Sequence, residues 1–202
     1  RTSRRNSARR WSPRSCSAIS AGTEMLVYQG RFPREMETDS TISFMRSGFK
    51  YPLPYGYACV GVVKDTGTQV DRSWYGKLVF AFQPHSSHFI TTPDSLFLIP
   101  HSLSPDTACF LPNMETAINL VQDGAPIFGE RVLVLGQGIV GLLTASLLSE
   151  FPLEVLVTAD CYPLRCNSSP TNRHLSLDPH AAGFREEAMG FLKQGADLTF
   201  EL

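Results

Sequence analysis

The sequence lacks a surplus of charge of either sign and a paired set of cysteines. Its 202 residues include 18 basic and 19 acidic side chains, a formal net charge of -1, so no whole-molecule field attracts nucleic acid or an anionic membrane. The five cysteines include no C-x-x-C pair, which argues against a secreted disulfide framework and a zinc ribbon. We therefore expect no nucleic-acid partner and an intracellular, reducing compartment, the cytoplasm more than an organelle.

Long apolar runs are also scarce. The longest uncharged stretch, residues 132–149, has 18 residues, which is the lower limit for a membrane helix. It contains three glycines, so a short strand, a glycine turn and an apolar helix explain it better than a membrane span. With 43% apolar residues, 15 glycines and 14 prolines, the composition is that of a globular chain of one or two small domains.

No acidic residue precedes Glu24 in the sequence. Six arginines precede Glu24, and the remainder of the chain has 12 basic and 19 acidic residues. The composition of residues 1–15 predicts a basic disordered tail, with part of an organelle transit peptide as the alternative. The arginines are Arg1, Arg4, Arg5, Arg9, Arg10 and Arg14.

Residues 16–112 have the pattern of a β domain. Short runs of β-branched and aromatic residues alternate with glycine and proline at turn spacing, which predicts a small barrel or sandwich. The predicted strands are 57–64, 78–82, 88–92 and 96–99. A helix start is predicted at Ser104, as the N-cap, and Pro105, as the first helical residue.

Residues 113–202 alternate between strands and helices, which predicts a parallel sheet with right-handed crossovers. The predicted strands are 131–135, 153–158, 175–177 and 197–202. The predicted helices are 114–123, an apolar helix that follows three glycines and ends at Leu148, and 186–193.

A glycine motif, G-x-G-x-x-G, follows the first of these strands at Gly136, Gly138 and Gly141. Its context is that of a Rossmann dinucleotide site, because it follows an apolar strand, opens a helix and has Asp160 at the end of the next strand. The N–H groups at such a helix start bind a pyrophosphate. The predicted cofactor residues of this turn are Gly136, Gly138, Ile139, Val140 and Gly141. The alternative is a glycine turn that binds nothing.

The cofactor preference depends on Asp160 and Arg165. A carboxylate at Asp160 accepts hydrogen bonds from the adenosine ribose and repels a 2′-phosphate, which favours NAD over NADP. Arg165 offsets part of that repulsion. The alternative for Asp160 is a turn residue at the end of a strand.

The chain resembles the medium-chain dehydrogenase/reductase family, in which a GroES-like β domain precedes a Rossmann domain. The resemblance covers most of the chain, and its segments are 18–24 (AISAGTE), 55–63 (YGYACVGVV), 76–82 (GKLVFAF), 115–117 (ETA) and 129–141 (GERVLVLGQGIVG). It implies an α/β fold with a GroES-like β-barrel at 16–112 and a partial Rossmann domain at 113–202.

Zinc-dependent members of this family have metal ligands at three positions that read Ala21, Tyr57 and Pro112 in this sequence. None of these side chains replaces a thiolate or an imidazole. The resemblance therefore implies the zinc-less branch, similar to bacteriochlorophyllide dehydrogenases, with no metal and with an alcohol or carbonyl group on a small organic molecule as substrate.

The resemblance also assigns roles to single residues. Thr23 matches a proton-relay hydroxyl, Glu24 lies beside it, and Tyr57 matches a vacated ligand position from which a phenol donates to a developing alkoxide. Thr116 matches a residue near the nicotinamide, and Arg165 a residue near the ribose. Structural alternatives are an aromatic filler for Tyr57 and a salt bridge at the end of the barrel for Glu24.

His85 and His88 have a spacing that can bind a metal, but they lie between two predicted strands with no third ligand nearby, so a polar hairpin is the better interpretation. Only about four strands of the six-stranded Rossmann sheet are present, which predicts a truncated chain. The two functional hypotheses are a zinc-independent NAD(P)-dependent oxidoreductase, which could form a homo-oligomer, and a non-catalytic remnant that binds nucleotide or a protein partner.

Overall fold

The computed structural model describes residues 15–31, 51–169, 174–193 and 195–202. The predicted basic tail, apart from Ser15, lies outside these ranges. The chain divides into two compact units between Leu111 and Pro112, and each is described by itself.

The first unit is built on a four-stranded antiparallel sheet in the order β1-β2-β3-β4. Ser17 pairs with Cys59, and Cys59 pairs with Ala81. A core of Ala58, Val60, Phe80, Ala108 and Cys109 packs against the sheet. The strands are β1 (Cys16–Ser17), β2 (Cys59–Val62), β3 (Leu78–Ala81) and β4 (Phe97–Leu98). Closure of this sheet into a GroES-like barrel stays a prediction.

The described residues of the first unit include the helices α1 (Thr23–Tyr28) and α2 (Pro105–Ala108). The predicted start of α2 is confirmed, because the Thr107 N–H donates to the Ser104 hydroxyl at 3.1 Å. Sequence reasoning missed α1, which is too short for its periodicity to be recognised. Short 3-10 helices lie at Arg72–Trp74 and Pro93–Ser95.

The predicted strand at 88–92 is wrong, because this segment has no strand structure. β3 pairs directly with β4, so the residues between them form the connecting loop. The apolar residues that suggested a strand, Phe89 and Ile90, are exposed there.

The second unit is an α/β layer structure around a four-stranded parallel sheet in the order β7-β6-β5-β8. The α/β class with a parallel sheet is therefore confirmed. The strands are β5 (Arg131–Leu135), β6 (Val155–Ala159), β7 (His174–Leu177) and β8 (Leu198–Glu201), and the helices are α3 (Leu111–Gly124), α4 (Ile139–Leu148), α5 (Pro163–Ser168) and α6 (Phe184–Phe191).

The apolar sequence of β5 is explained by burial on both faces. Val132 and Val134 are fully buried in a cluster with Leu148 and Phe200, whereas Leu133 packs against a second cluster on the other face. A parallel strand covered on both sides has this continuous apolar pattern. Within the described ranges, no helix is long and apolar enough to cross a membrane.

Candidate functional site

The glycine turn joins the end of β5 to the start of α4, and two of its glycines are required by the backbone. Gly136 has φ +89°, a left-handed conformation that strongly favours glycine. A Cβ at Gly141 would lie 1.9 Å from the Gly136 carbonyl oxygen, so only glycine lets α4 approach the turn this closely. The positions predicted to be constrained are therefore constrained by conformation and packing.

Gly138 differs from these two glycines because space is open around it. It precedes α4 as the N-cap residue, and no described atom lies within 4 Å of a Cβ built there. The first N–H groups of a helix lack intrahelical acceptors, and the helix dipole favours negative charge at this end. The turn thus offers room and hydrogen-bond donors to an anion, with Ile139 and Val140 on the first turn of α4.

Gln137 holds the turn in place, a role that sequence reasoning missed. Its side chain is fully buried, and its Nε2 donates to the Gly136 carbonyl at 3.0 Å. Its Oε1 accepts from the Ser169 hydroxyl at 3.3 Å. The G-x-G-x-x-G motif leaves this position unspecified, so the motif gave no signal for it.

Asp160 connects the end of β6 to the glycine turn. Its carboxylate accepts from the Gln137 N–H at 2.7 Å and from the Tyr162 N–H at 2.8 Å. Burial alone would raise the pKa of Asp160, but these two hydrogen bonds and the nearby Arg165 outweigh burial and hold the pKa below its usual range. Asp160 is therefore a buried anion with a structural role, and its predicted contact with ribose is not tested by these contacts.

Arg165 lies beside this carboxylate, with its Nη1 3.4 Å from Asp160 Oδ2 and its side chain about half exposed, at 47%. The guanidinium stacks over the Tyr162 ring, 4.6 Å from the ring centroid, as expected for a cation–π contact. One charge partner and one aromatic face thus position this cation, and much of it remains open to solvent. Tyr162 was not among the predicted site residues.

Thr116 lies on α3, where its hydroxyl donates to the Pro112 carbonyl at 3.0 Å. This is a bond to the preceding helical turn, which serine and threonine commonly make. The predicted role of Thr116 near a nicotinamide stays a prediction.

In the first unit, the structure brings together Glu24, His85 and Ser17. Glu24 Oε2 lies 2.5 Å from His85 Nε2, and Glu24 Oε1 accepts from the Ser20 N–H at 2.9 Å. The other ring nitrogen, Nδ1, lies 2.5 Å from the Ser17 hydroxyl. The Glu24 side chain is 9% exposed and that of His85 is 31% exposed. This arrangement is a carboxylate, an imidazole and a hydroxyl in one hydrogen-bonded series.

The backbone near β2 makes space for the His85 ring. Gly56 has φ +123°, and a Cβ there would lie 2.7 Å from the ring. The His85 N–H donates to the Tyr55 carbonyl at 3.1 Å. The interpretation of residues 85–88 as only a polar hairpin was therefore incomplete. Sequence reasoning missed the contact because Glu24 and His85 are 61 positions apart.

The other two residues that were predicted to be catalytic are Thr23 and Tyr57. Thr23 is the exposed first residue of α1. Tyr57 is partly buried and packs against the core of the first unit, a position that fits the aromatic-filler alternative. Their catalytic roles stay predictions. The described part of the chain contains no group of three or more metal-ligating side chains.

A cavity of about 490 Å³ lies within the first unit. Ser17, Cys59, Val60, Ser86, His88 and Phe89 are among the residues that line it. Ser17, whose hydroxyl contacts His85, is thus also one of the residues that line a cavity of a volume usual for small organic ligands.

Solved structures with the same fold cover both units. A putative zinc-binding dehydrogenase from Sinorhizobium meliloti, bound to NADP, matches 93% of this chain and 60% of its own, with a TM-score of 0.69 and 18% identity. An alcohol dehydrogenase from Escherichia coli, in complex with NADH, matches 93% of this chain and 59% of its own, with a TM-score of 0.67 and 16% identity. A quinone oxidoreductase from Pseudomonas syringae matches 96% of this chain and 60% of its own, with a TM-score of 0.66 and 15% identity.

Sequence comparisons match a smaller part of the chain than the structural comparisons do. No protein-family model matches the sequence. A probable polyketide synthase from Dictyostelium discoideum is 35% identical over 89 residues, which are 43% of this chain and 3% of that protein. The chain thus spans about three fifths of the solved structures and a small fraction of this relative.

The antiparallel unit and the unit with the parallel sheet and the glycine turn have the same fold as solved dehydrogenases and quinone oxidoreductases. The solved structures show this fold alone, and it agrees with the fold that the sequence resemblance implies.

Proposed function

We propose that this chain is a zinc-independent NAD(P)-dependent oxidoreductase, or a part of one, and that its second unit binds the dinucleotide. The observation that carries the proposal is the open space at Gly138, at the start of α4, between two glycines that packing requires. The neighbouring structures bound to NADH and NADP support it.

The residues at the turn fit a dinucleotide. Gly138, Ile139 and Val140 would direct backbone N–H groups toward its pyrophosphate, and the dipole of α4 favours the negative charge there. Gly136 and Gly141 keep the turn tight, and Asp160 and Arg165 would lie toward the adenosine ribose. The bound cofactor supplies hydride transfer at the nicotinamide, with Thr116 as the proposed nearby residue.

For cofactor choice, we propose that NAD is preferred. The lowered pKa of Asp160 keeps its carboxylate charged at neutral pH, and a fixed anion disfavours an added 2′-phosphate. Arg165 favours NADP instead, because its partly exposed guanidinium is open to a 2′-phosphate.

For the acid–base chemistry, we propose Thr23, Glu24 and Tyr57 as the residues that serve the oxygen of an alcohol or carbonyl substrate, with Glu24 acting through its contact with His85 and not by direct contact with that oxygen. Glu24 has the most direct support, because its carboxylate contacts an imidazole. The reaction is proposed to proceed without zinc, since Ala21, Tyr57 and Pro112 stand where the ligands of zinc-dependent members would be. One equivalent of chelator-resistant zinc in the purified protein would contradict this.

The experiment that tests dinucleotide binding is titration calorimetry with NAD on a matched pair of variants. Gly138→Ala adds a methyl group where the pyrophosphate is expected, with no described atom within 4 Å, and should weaken binding at least tenfold (about 1.4 kcal/mol). Gly190→Ala adds the same methyl group in open space on α6 and should leave affinity unchanged. Equal affinity of the two variants, or no binding by the parent chain, would contradict the proposal.

A second candidate function follows from the relative in Dictyostelium discoideum, a probable polyketide synthase. In this candidate the chain is an oxidoreductase unit of a larger polyketide synthase, and its substrate is an intermediate of that synthase. The other alternative, a non-catalytic remnant, predicts nucleotide or partner binding with no carbonyl reduction at all. Reduction of a β-keto thioester by NAD(P)H in the presence of the chain would support the polyketide candidate and contradict the non-catalytic remnant.

A further inference from the structure

We propose that Ser17, His85 and Glu24 form a proton relay whose outlet is the Ser17 hydroxyl in the cavity of the first unit. The inference rests on the proposed function for its task, which is to protonate the oxygen of a carbonyl substrate. The proton exchange itself is a property of these three residues, and it is testable without any cofactor.

The relay has a fully hydrogen-bonded arrangement when the imidazole is neutral. A carboxylate has no hydrogen to donate, so the Nε2–H group of His85 donates to the Glu24 carboxylate across 2.5 Å. Nδ1 then has a free lone pair, which accepts from the Ser17 hydroxyl across 2.5 Å. The carboxylate thus selects the Nε2–H tautomer of the ring.

A second arrangement satisfies the same atoms when the imidazole has taken up a proton. Nδ1–H now donates to the Ser17 oxygen, and the Ser17 hydroxyl hydrogen needs a different acceptor. The Ala58 carbonyl oxygen lies 3.1 Å from Ser17 Oγ and provides it. Rotation of the Ser17 hydroxyl therefore adapts the series to either protonation state. Every polar atom of the series keeps a hydrogen bond, and the cost of an unpaired polar atom is avoided.

The surroundings keep the relay in position. The Ser20 N–H holds Glu24 through its second oxygen, and the glycine at position 56 leaves room for the ring. Other titratable groups nearby are Tyr55, Tyr57 and Cys59. Burial, followed by Tyr57 and Glu24, raises the pKa of Tyr55, so this phenol stays neutral. The single Cys59 thiol hydrogen has the Gln83 and Pro84 carbonyls as its two acceptors, and the Cys59 sulfur lies 3.3 Å from the Ser17 hydroxyl oxygen.

The outlet is suited to a carbonyl compound. Ser17 lines the cavity together with Ser86 and His88, whereas Val60 and Phe89 add apolar surface. When a carbonyl carbon gains a hydride, its oxygen becomes an alkoxide and needs one proton. Ser17 gives its proton to that oxygen and takes one from His85 Nδ1, which leaves the ring neutral. The ring is 31% exposed and regains its proton from water.

The test is NMR on the cofactor-free full chain with ¹⁵N-histidine and ¹³C-carbonyl alanine. The parent should show the Nε2–H tautomer at alkaline pH. On acidification the Ala58 carbonyl signal should move downfield together with the His85 ring signals, because the Ser17 hydroxyl turns toward it. Ser17→Ala should abolish the Ala58 response while the ring still takes up its proton, and Ser17→Thr should restore that response. Ser86→Ala, at the same cavity, is the matched control and should behave as the parent does.

Three results would overturn the relay: an Nδ1–H tautomer, an Ala58 signal that does not follow the ring, or an Ala58 response that survives in Ser17→Ala. Covalent labelling of Ser17 by a fluorophosphonate would also overturn it, because Ser17 would then act as a nucleophile. Calorimetry with NAD on the same sample measures the proposed function separately, so a failure of dinucleotide binding and a failure of the relay are distinguishable.

Discussion

Asp160 shows how one side chain can serve both structure and specificity. Its carboxylate holds two backbone N–H groups, those of Gln137 and Tyr162, and thereby fixes the glycine turn against the end of β6. The same hydrogen bonds keep it ionised, so a negative charge lies permanently at the place where a ribose is proposed to bind. Any change at Asp160 is therefore expected to alter both the turn and the choice of cofactor.

The first prediction concerns this cofactor choice. The parent chain should bind NAD more tightly than NADP, and Asp160→Ser should narrow or reverse the difference, because Arg165 is then free to pair with the 2′-phosphate. Both nucleotides must be titrated by calorimetry at one ionic strength, since salt screens the phosphate contribution. Arg165→Ala in the Asp160→Ser background is the control and should remove the gain for NADP. Equal affinities in the parent that do not change in Asp160→Ser would make Asp160 a turn residue only.

A second prediction concerns the cysteines of the first unit. The Cys16 and Cys109 sulfur atoms lie 3.1 Å apart, and a disulfide needs about 2.05 Å. Burial, together with the Cys109 thiol, raises the pKa of Cys16 to about 12, and burial also raises the pKa of Cys109. Diamide, as the two-electron oxidant, should therefore join them slowly at neutral pH and faster at alkaline pH.

Mass spectrometry of peptides from the oxidised chain should show Cys16 linked to Cys109. Cys109→Ser should abolish the link, whereas Cys161→Ser, which removes an exposed thiol, should leave it intact. A product that contains Cys161 and not Cys16 would contradict the prediction.

Among the secondary-structure elements, β5 and β8 are joined at their starts by one ion pair. The Asp197 carboxylate accepts from Arg131 Nε at 2.8 Å, from its Nη2 at 2.7 Å and from its backbone N–H at 2.9 Å. Two side-chain bonds in parallel make a bidentate pair, the stronger form of this contact.

A third prediction follows for the dependence of stability on pH. The side-chain hydrogen bond from Arg131 lowers the pKa of Asp197 to about 2, below the usual value of about 3.9. The lowered pKa of Asp197 stabilises the fold at any pH above the usual pKa of an aspartate. This stabilisation is lost as the pH falls from about 4 toward 2. Thermal unfolding across that range should show a smaller decrease for Asp197→Asn than for the parent.

Asp123→Asn, on the exposed side of α3, is the matched control for this prediction and should follow the parent curve. Identical curves for Asp197→Asn and the parent would mean that the ion pair does not contribute to acid stability.

The elements that could be predicted from sequence are those with a distinct local signal. β5 was predicted with its exact bounds because it is a continuous apolar run, and α4 because a glycine motif precedes it. The helices α1 and α5 were missed because each has only six residues. In the site, the glycines were predictable from a local motif, but the contact between Glu24 and His85 depends on residues distant in sequence that only the tertiary fold brings together.

At the scale of the whole molecule, the number of strands in the described parallel sheet sets an expectation for a polypeptide made of these residues alone. The described parallel sheet has four strands, whereas a complete Rossmann sheet has six, and the chain spans about 60% of a solved neighbour. We predict that these 202 residues bind the adenine half of NAD weakly and turn over little substrate. Absorbance assays of NADH with carbonyl substrates provide the measurement, and robust steady-state oxidation would contradict the prediction.

The short 3-10 helix Arg72–Trp74 has a consequence for spectroscopy. The sequence contains two tryptophans, Trp74 and Trp11, and both precede the boundary at Leu111 and Pro112. Indole fluorescence therefore originates entirely from residues before that boundary. The sequence after the boundary contains no tryptophan and one tyrosine, Tyr162. A denaturation curve recorded from indole emission follows the first unit, and the difference between that curve and far-ultraviolet circular dichroism of the whole chain reports how far the two units unfold independently.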